Sequence, residues 1–225
     1  MRLTCYGHSC IGVNTAGHDV LFDPFITGNP LAGSIDPERI PVTEILITHG
    51  HGDHVADAEV IAKRTNATLV SNYEIATWFG AKGVKSTVGM NIGGTTQVGP
   101  FRVKYVTAVH SSQLPDGSYG GNPGGFVVSG PEGAFHHAGD TALTIDMQLL
   151  KPFNLRFACL PIGDHYTMGV ADAIEAAKLM GVTKVVGIHY NTFPPITIDT
   201  EAAKRDFAKA GINLLLPAIG ETIDL

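Results

Sequence analysis

Short apolar runs separated by glycine and polar residues predict the order of strands and helices in the first part of the chain. The runs MRLTCY, CIGVNT and DVLFD are joined by turns at Gly7 to Ser9 and at Ala16-Gly17, which indicates an antiparallel meander. EILIT follows as a continuous apolar run typical of a buried strand, and VADAEVIAKRT has the apolar spacing of a helix. ATLVSN and YEIATWFGAKG repeat the strand and helix pair.

The second part of the chain shows the same change from paired strands to alternating elements. QVGPFRVKYVTAVHSS and GGFVVSGPEGAFHHAGDT are predicted strand pairs, and the second pair turns at Gly130 to Gly133. Strand and helix patterns then alternate through RFACLPIG, VADAIEAAKLMG, KVVGIHY and TEAAKRDFAKAG before the closing strands NLLLP and ETIDL. A meander plus alternating units in each half predicts an α/β fold of two sheets packed face to face with helices outside. We therefore expect a four-layer αββα sandwich that forms one domain over residues 1–225.

Polar residues follow the predicted strands at five places. His49 follows EILIT, His110 follows VKYVTAV, Asp140 follows AFHHAG, Asp164 follows FACLPIG and His189 follows KVVGI. Strand ends that share one edge of a sandwich bring distant residues together, and α/β folds place ligand sites at such edges. These side chains are expected to share one site.

The stretch THGHGDH, residues 48–54, contributes His49 and three further candidate side chains, His51, Asp53 and His54, to that edge. In an extended segment His49 and His51 point to the same side. Gly50 and Gly52 are expected to let the backbone turn tightly, so that Asp53 and His54 address a second position a few ångströms away. Two metal ions about 3.5–4 Å apart would use this arrangement.

The available ligand types restrict the metal. Three cysteines with no CxxC pair argue against a thiolate site or a disulfide framework. Imidazole and carboxylate ligands suit two divalent ions, with Zn or Mn favoured and Fe, Ni or Co also compatible.

Composition and net charge limit the classes of partner that the sequence indicates. The chain has 225 residues, of which 44% are hydrophobic, and a net charge of −6, so no basic surface indicates nucleic acid. The N-terminus lacks a charged region followed by an apolar run, and no stretch of about 18 apolar residues occurs. We expect a cytoplasmic protein without a membrane anchor that acts on a small molecule. The sequence is also compatible with a homo-oligomer.

The motif His49-x-His51-x-Asp53-His54, with His110, Asp140 in GDT and His189, resembles the metallo-β-lactamase fold superfamily over most of the chain. LTCYGHSC, FDPFITGNP, YGGNPGGFVV and PIGDHYTMG look like the uncharacterised metal-dependent hydrolase branch near the L-ascorbate-6-phosphate lactonases. The resemblance implies that His49, His51 and His110 hold one metal and that Asp53, His54 and His189 hold the other. Asp140 would bridge them.

At two candidate ligand positions this chain differs from sister groups of that superfamily, which bears on its reaction. One common type of β-lactamase carries a cysteine where this chain has Asp140, and diiron flavoproteins carry a glutamate where it has His51. Antibiotic hydrolysis and a redox role are therefore disfavoured.

The expected reaction is hydrolysis. Two cations that share a bridging water lower its pKa toward about 7 and supply hydroxide near neutral pH. A small-molecule ester, lactone or phosphorylated metabolite is the first substrate class. A phosphodiesterase acting on nucleotide, lipid or nucleic-acid diesters is the alternative, and a metal-binding module without turnover is the third.

Five further residues are candidates around the metals. Asp164, His165 and His8 are predicted to deliver a proton or contact the substrate, although Asp164 could cap a turn and His165 could be solvated. Asp23 and His137 are predicted to orient the metal ligands by hydrogen bonds without contacting the metals themselves. For Asp23 the alternative is a structural role in the turn before Pro24.

Overall fold

The computed structural model describes all 225 residues as two seven-stranded sheets with helices on their outer faces. The strands are β1 (Arg2–Gly7), β2 (Cys10–Thr15), β3 (His18–Phe22), β4 (Glu44–Leu46), β5 (Thr68–Asn72), β6 (Thr87–Met90), β7 (Thr95–Val98), β8 (Phe101–Thr107), β9 (Gly124–Gly130), β10 (Gly133–His137), β11 (Leu155–Pro161), β12 (Lys184–Ile188), β13 (Asn213–Leu215) and β14 (Thr222–Asp224). The α-helices are α1 (Gly52–Val55), α2 (Ala58–Thr65), α3 (Tyr73–Ala81), α4 (Val170–Met180) and α5 (Thr200–Lys209), and three 3₁₀ helices span Pro37–Arg39, Ile145–Phe153 and Pro194–Ile196.

Both sheets change from antiparallel to parallel pairing. The first has the order β14-β1-β2-β3-β4-β5-β6, antiparallel up to β3 and parallel from β3 to β6. The second has the order β13-β12-β11-β10-β9-β8-β7, antiparallel from β7 to β10 and parallel from β10 to β13. The C-terminal strand β14 returns to the first sheet and pairs with β1. The meander followed by alternating units, predicted for each half, is what both sheets show.

Three apolar clusters separate the layers. The central cluster lies between the sheets and contains fully buried aromatic side chains such as Phe22, Tyr105, Phe126 and Phe157. A second cluster joins the outer face of the second sheet to α4, α5 and the 3₁₀ helix Ile145–Phe153, and a third joins the first sheet to α2 and α3. The predicted four-layer αββα sandwich is confirmed.

One predicted helix is divided in two. VADAEVIAKRT was expected to be continuous, but α1 ends at Val55 and α2 begins at Ala58. The carboxylate of Asp57 accepts hydrogen bonds from the backbone N–H groups of Ile26 and Thr27, so this residue is tied to the loop after β3. The division ends the ligand-bearing helix α1 after one turn.

None of the helices combines the length and the apolar character that a membrane-spanning helix needs.

Candidate metal centre

The structure brings the seven predicted ligands together at one edge of the sandwich. His49, His51 and His110 form a first half-site, in which the ligand atoms lie within 4.8 Å of one another. Asp53, His54 and His189 form a second half-site on the same criterion, and His8 lies within the same distance of them. These residues follow β4, β8 and β12, so the ends of strands from both sheets supply the ligands.

Asp140, which follows β10, lies between the two half-sites. Its Oδ2 atom is close to ligand nitrogens of both: 2.9 Å from His189 Nε2, 3.4 Å from His54 Nε2, 3.6 Å from His110 Nε2 and 3.9 Å from His49 Nε2. One carboxylate can therefore contact ions held at either half-site.

The donor set fits metal ions. Asp140 Oδ1 and His54 Nε2 are buried without a hydrogen-bond partner, although buried polar atoms are nearly always paired. His49 Nε2 and His51 Nδ1 also face each other at 3.0 Å, a distance at which two imidazole lone pairs call for a shared cation or proton. Nitrogen and oxygen ligands without sulfur match Zn or Mn.

The glycines of the ligand loop act differently from the expectation. Neither Gly50 nor Gly52 has a positive φ, so neither is needed for a left-handed turn. A Cβ atom on Gly50 would lie 3.1 Å from the carbonyl oxygen of Gln113, whereas one on Gly52 would meet open space. Gly50 is therefore required because another loop packs directly against the ligand loop.

Asp23 orients ligands of both half-sites from behind. This fully buried carboxylate accepts hydrogen bonds from the backbone N–H of Thr48 at 2.8 Å, the Thr48 hydroxyl at 2.7 Å and His54 Nδ1 at 2.9 Å. The Thr48 hydroxyl is also 3.1 Å from His49 Nδ1. A proton held on His54 Nδ1 leaves Nε2 free as a metal ligand.

Charge distinguishes the half-sites. Burial, the largest influence, lowers the pKa of His49, His51 and His110. Burial also opposes charge on His54, but the Asp140 and Asp23 carboxylates raise its pKa well above the ordinary value. The first half-site thus consists of neutral imidazoles, whereas the second is charge-paired before any metal binds.

His8 contacts the ligand Asp53. Its Nε2 atom is 3.2 Å from Asp53 Oδ2 and its Nδ1 atom is 2.9 Å from the hydroxyl of Thr192. The ring is buried and does not line the cavity at the metal site. Its role in proton delivery or substrate contact stays a prediction, and the contacts favour a place behind Asp53.

Asp164 and His165, predicted to deliver a proton or contact the substrate, lie outside the wall of the metal-site cavity. Both are exposed residues with positive φ in the turn after β11, and the Asp164 carboxylate accepts a hydrogen bond from the His165 backbone N–H at 2.8 Å. Neither lines the metal-site cavity, whereas the next residue, Tyr166, does. Asp164 thus closes its own turn, which was the structural alternative.

His137 supports the backbone of the site rather than a ligand side chain. Its Nε2–H donates to the Ser9 carbonyl at 3.1 Å, and its Nδ1 accepts from the Gly139 N–H at 3.2 Å. The ring stacks on Phe22 with a 4.6 Å centroid separation. His137 thereby joins the turns that carry His8 and Asp140.

A cavity of about 410 Å³ opens over the metal ligands. Its other wall residues are Ser111, Tyr166, Phe193 and Pro195. Ser111, Pro195 and the His8 partner Thr192 carried no chemical motif, and only their positions next to His110 and after His189 could have indicated them.

Comparisons with known proteins agree with this geometry. The model of the beta-lactamase superfamily domain matches residues 18–190. A UPF0173 metal-dependent hydrolase from Flavobacterium johnsoniae is 48% identical over 226 residues and covers 100% of both chains. Igni18, a metallo hydrolase from Ignicoccus hospitalis, has 35% identity and a TM-score of 0.89, over 99% of this chain and 97% of its own.

A more distant structure supports the fold alone. The isothiocyanate hydrolase from Delia radicum gut bacteria has 19% identity and a TM-score of 0.79, over 100% of this chain and 99% of its own. The narrower likeness to L-ascorbate-6-phosphate lactonases stays a prediction. The full-length matches and the assembled ligand set lead to one conclusion: the chain belongs to the metallo-β-lactamase superfamily and, within it, to the UPF0173 family of metal-dependent hydrolases.

Proposed function

We propose that this hydrolase uses two divalent metal ions, one at each half-site, to cleave a small, uncharged carboxylic ester or lactone. The position of Asp140 carries the proposal, because its Oδ2 lies 2.9 Å from His189 Nε2 and 3.6 Å from His110 Nε2. That is the placement a bridging ligand needs. When bound, two such ions act as Lewis acids and bring the pKa of water toward about 7.

The residues of the chain hold this centre in place and leave one side open. His49, His54 and Asp140 are buried, whereas His51 and His110 are partly exposed and face the cavity. A substrate can therefore approach the metals from the cavity only. A module without turnover would be expected to have a site closed to substrates, so open access also disfavours that alternative.

The cavity wall favours an uncharged substrate. Beyond the metal ligands it consists of Ser111, Tyr166, Phe193 and Pro195, and no lysine or arginine contributes to it. A phosphate group away from the reacting centre is normally held by such cations. The Ser111 and Tyr166 hydroxyls could orient a carbonyl substrate, and Phe193 and Pro195 could pack against its apolar part.

A substrate panel tests the proposal. Protein loaded with Zn²⁺ or Mn²⁺ is assayed with neutral lactones, p-nitrophenyl acetate, a phosphorylated lactone and bis(p-nitrophenyl) phosphate. We expect the neutral esters and lactones to have the highest kcat/KM. Faster cleavage of the phosphorylated lactone or the diester would overturn the substrate class, and no turnover with two metals bound would overturn the proposed function.

Phe193→Ala tests the apolar wall. Loss of part of this packing, which is worth about 1.5–3 kcal/mol for a buried phenyl group, should raise KM for apolar esters about tenfold when the proteins are compared at equal bound metal. Ile145→Ala is the control, because Ile145 is an exposed apolar residue that does not line this cavity. Equal KM values for the two variants would contradict the wall assignment.

A further inference from the structure

We propose that His8 is a positioning residue of the second half-site, which fixes the carboxylate of Asp53 so that one of its oxygens faces the metal. The proposal rests on the dinuclear centre proposed above and adds a residue outside the seven-ligand set. Its basis is the chain of contacts from Thr192 through His8 to Asp53, with separations of 2.9 Å and 3.2 Å.

The chemistry of the partners sets the direction of each hydrogen bond. An ionised carboxylate only accepts, so the proton between His8 and Asp53 must be on His8 Nε2. In the neutral ring Nδ1 is then an acceptor, and the Thr192 hydroxyl must donate to it. The carboxylate of Asp53 therefore selects the tautomer of His8, and the Thr192 hydroxyl can pair with the ring nitrogen that this tautomer leaves as an acceptor.

Packing keeps the His8 ring in this orientation. Its centroid is 4.2 Å from that of His189, and the edges of Phe25 and Phe193 contact it with centroid separations of 5.6 Å and 5.5 Å. The ring cannot turn away from Asp53 without displacing these neighbours.

The backbone links His8 to the second half-site as well. His8 has φ 55°, in the left-handed region that non-glycine residues rarely adopt. Its carbonyl oxygen accepts a hydrogen bond from the His189 N–H at 3.1 Å. The turn after β1 and the ligand His189 therefore hold each other in position.

Asp53 is a ligand for which such support matters. It lies in α1, a helix of only four residues, and 29% of its side chain is exposed. His8 is its one hydrogen-bond partner in the structure. Without that contact, metal binding would have to restrict the rotation of the carboxylate at an entropic cost.

The experiment compares His8→Ala with His8→Gln in the full chain. Gln can place an N–H donor near the position of Nε2 but is not an imidazole ligand. Binding of Zn²⁺ to the metal-free proteins is measured by titration calorimetry, and bound metal is counted after dialysis. Thr192→Val tests the hydrogen bond to His8 Nδ1, and thermal unfolding checks that each variant folds.

For His8→Ala we expect about 10–100-fold weaker binding of one Zn²⁺ ion with the other unchanged, as for loss of a residue that orients a ligand. His8→Gln should stay within about fivefold of wild type, and Thr192→Val should lie between the two. Unchanged binding in His8→Ala would overturn the proposal. Equal losses in His8→Ala and His8→Gln would also overturn it, because His8 would then be a direct ligand.

The wild-type protein separates this proposal from the proposed function. Two bound ions that respond to His8 as described, without ester or lactone hydrolysis, would overturn the hydrolytic proposal alone. A wild-type protein that binds a single ion would overturn the dinuclear centre itself.

Discussion

The two half-sites of the metal centre are built on different principles. The first contains three imidazoles and no carboxylate of its own. Behind His51, the only contact of Nε2 is with the exposed Ser111 hydroxyl, at 3.4 Å. The second contains Asp53 and has supporting residues behind two of its ligands, Asp23 behind His54 and His8 behind Asp53.

This difference suggests a division of labour. Both half-sites contribute side chains to the cavity, His51 and His110 from the first and Asp53 and His189 from the second. The first offers neutral nitrogens, which suits an ion that exchanges ligands with a substrate. The second is more strongly oriented by the residues behind it, which suits an ion that stays in place. Asp140 is the element that both share, so changes there and in the supporting residues should separate the two roles.

Asp140→Ala should have the largest effect. Loss of the shared carboxylate removes a contact to both ions, and a loss of several kcal/mol of transition-state stabilisation corresponds to a decrease in kcat/KM of at least about 10³-fold. Steady-state hydrolysis of the best ester, with bound metal counted in parallel, measures it. Asp164→Ala is the matched control and should stay within about threefold of wild type. Comparable losses in both variants would contradict the placement of the site.

Asp23→Ala should have the next largest effect, and on both half-sites. Removal of an acceptor of three buried hydrogen bonds should lower the free energy of unfolding by about 3 kcal/mol and weaken binding of both ions by about 10–100-fold. Urea unfolding of the metal-free protein and zinc titration measure the two quantities.

Asp57→Ala is the control for this prediction. Asp57 is another buried aspartate that accepts two backbone hydrogen bonds, but it contacts no ligand. Its loss should destabilise the fold while zinc affinity stays within about threefold of wild type. If both variants lost zinc equally, the effect of Asp23 would be general destabilisation rather than ligand orientation.

The smallest predicted difference between the two half-sites is the number of protons that their ligands release when zinc binds. The pKa values of His49, His51 and His110 are lowered, so these rings are already neutral at pH 7 and metal binding there should release no proton. The pKa of His54 is raised well above its ordinary value, so an ion at the second half-site should displace about one proton. Zinc titrations at pH 7 in buffers of different ionisation enthalpy measure both values. Equal release for the two ions would contradict the comparison.

The ligands could be predicted because metal chemistry restricts both their type and their place in the sequence. Four of them lie within six residues, and the other three follow strands whose ends share one edge. The supporting residues were harder to assign. Asp164 and His8 looked equivalent, since each is a polar residue next to a strand end, yet Asp164 closes an exposed turn and His8 is buried against Asp53.

By itself, the sequence determined the four-layer fold, through the periodicity of its apolar residues, and indicated the seven candidate ligands that the structure brings together, through their spacing. Tertiary structure alone decided which polar side chains meet behind the ligands and which residues form the cavity wall. It also decided that the loop containing Gln113 packs against Gly50. The physical reason is that periodicity and ligand spacing are local properties. A hydrogen bond such as that between His8 and Thr192 joins residues 184 positions apart and exists only after both sheets have packed.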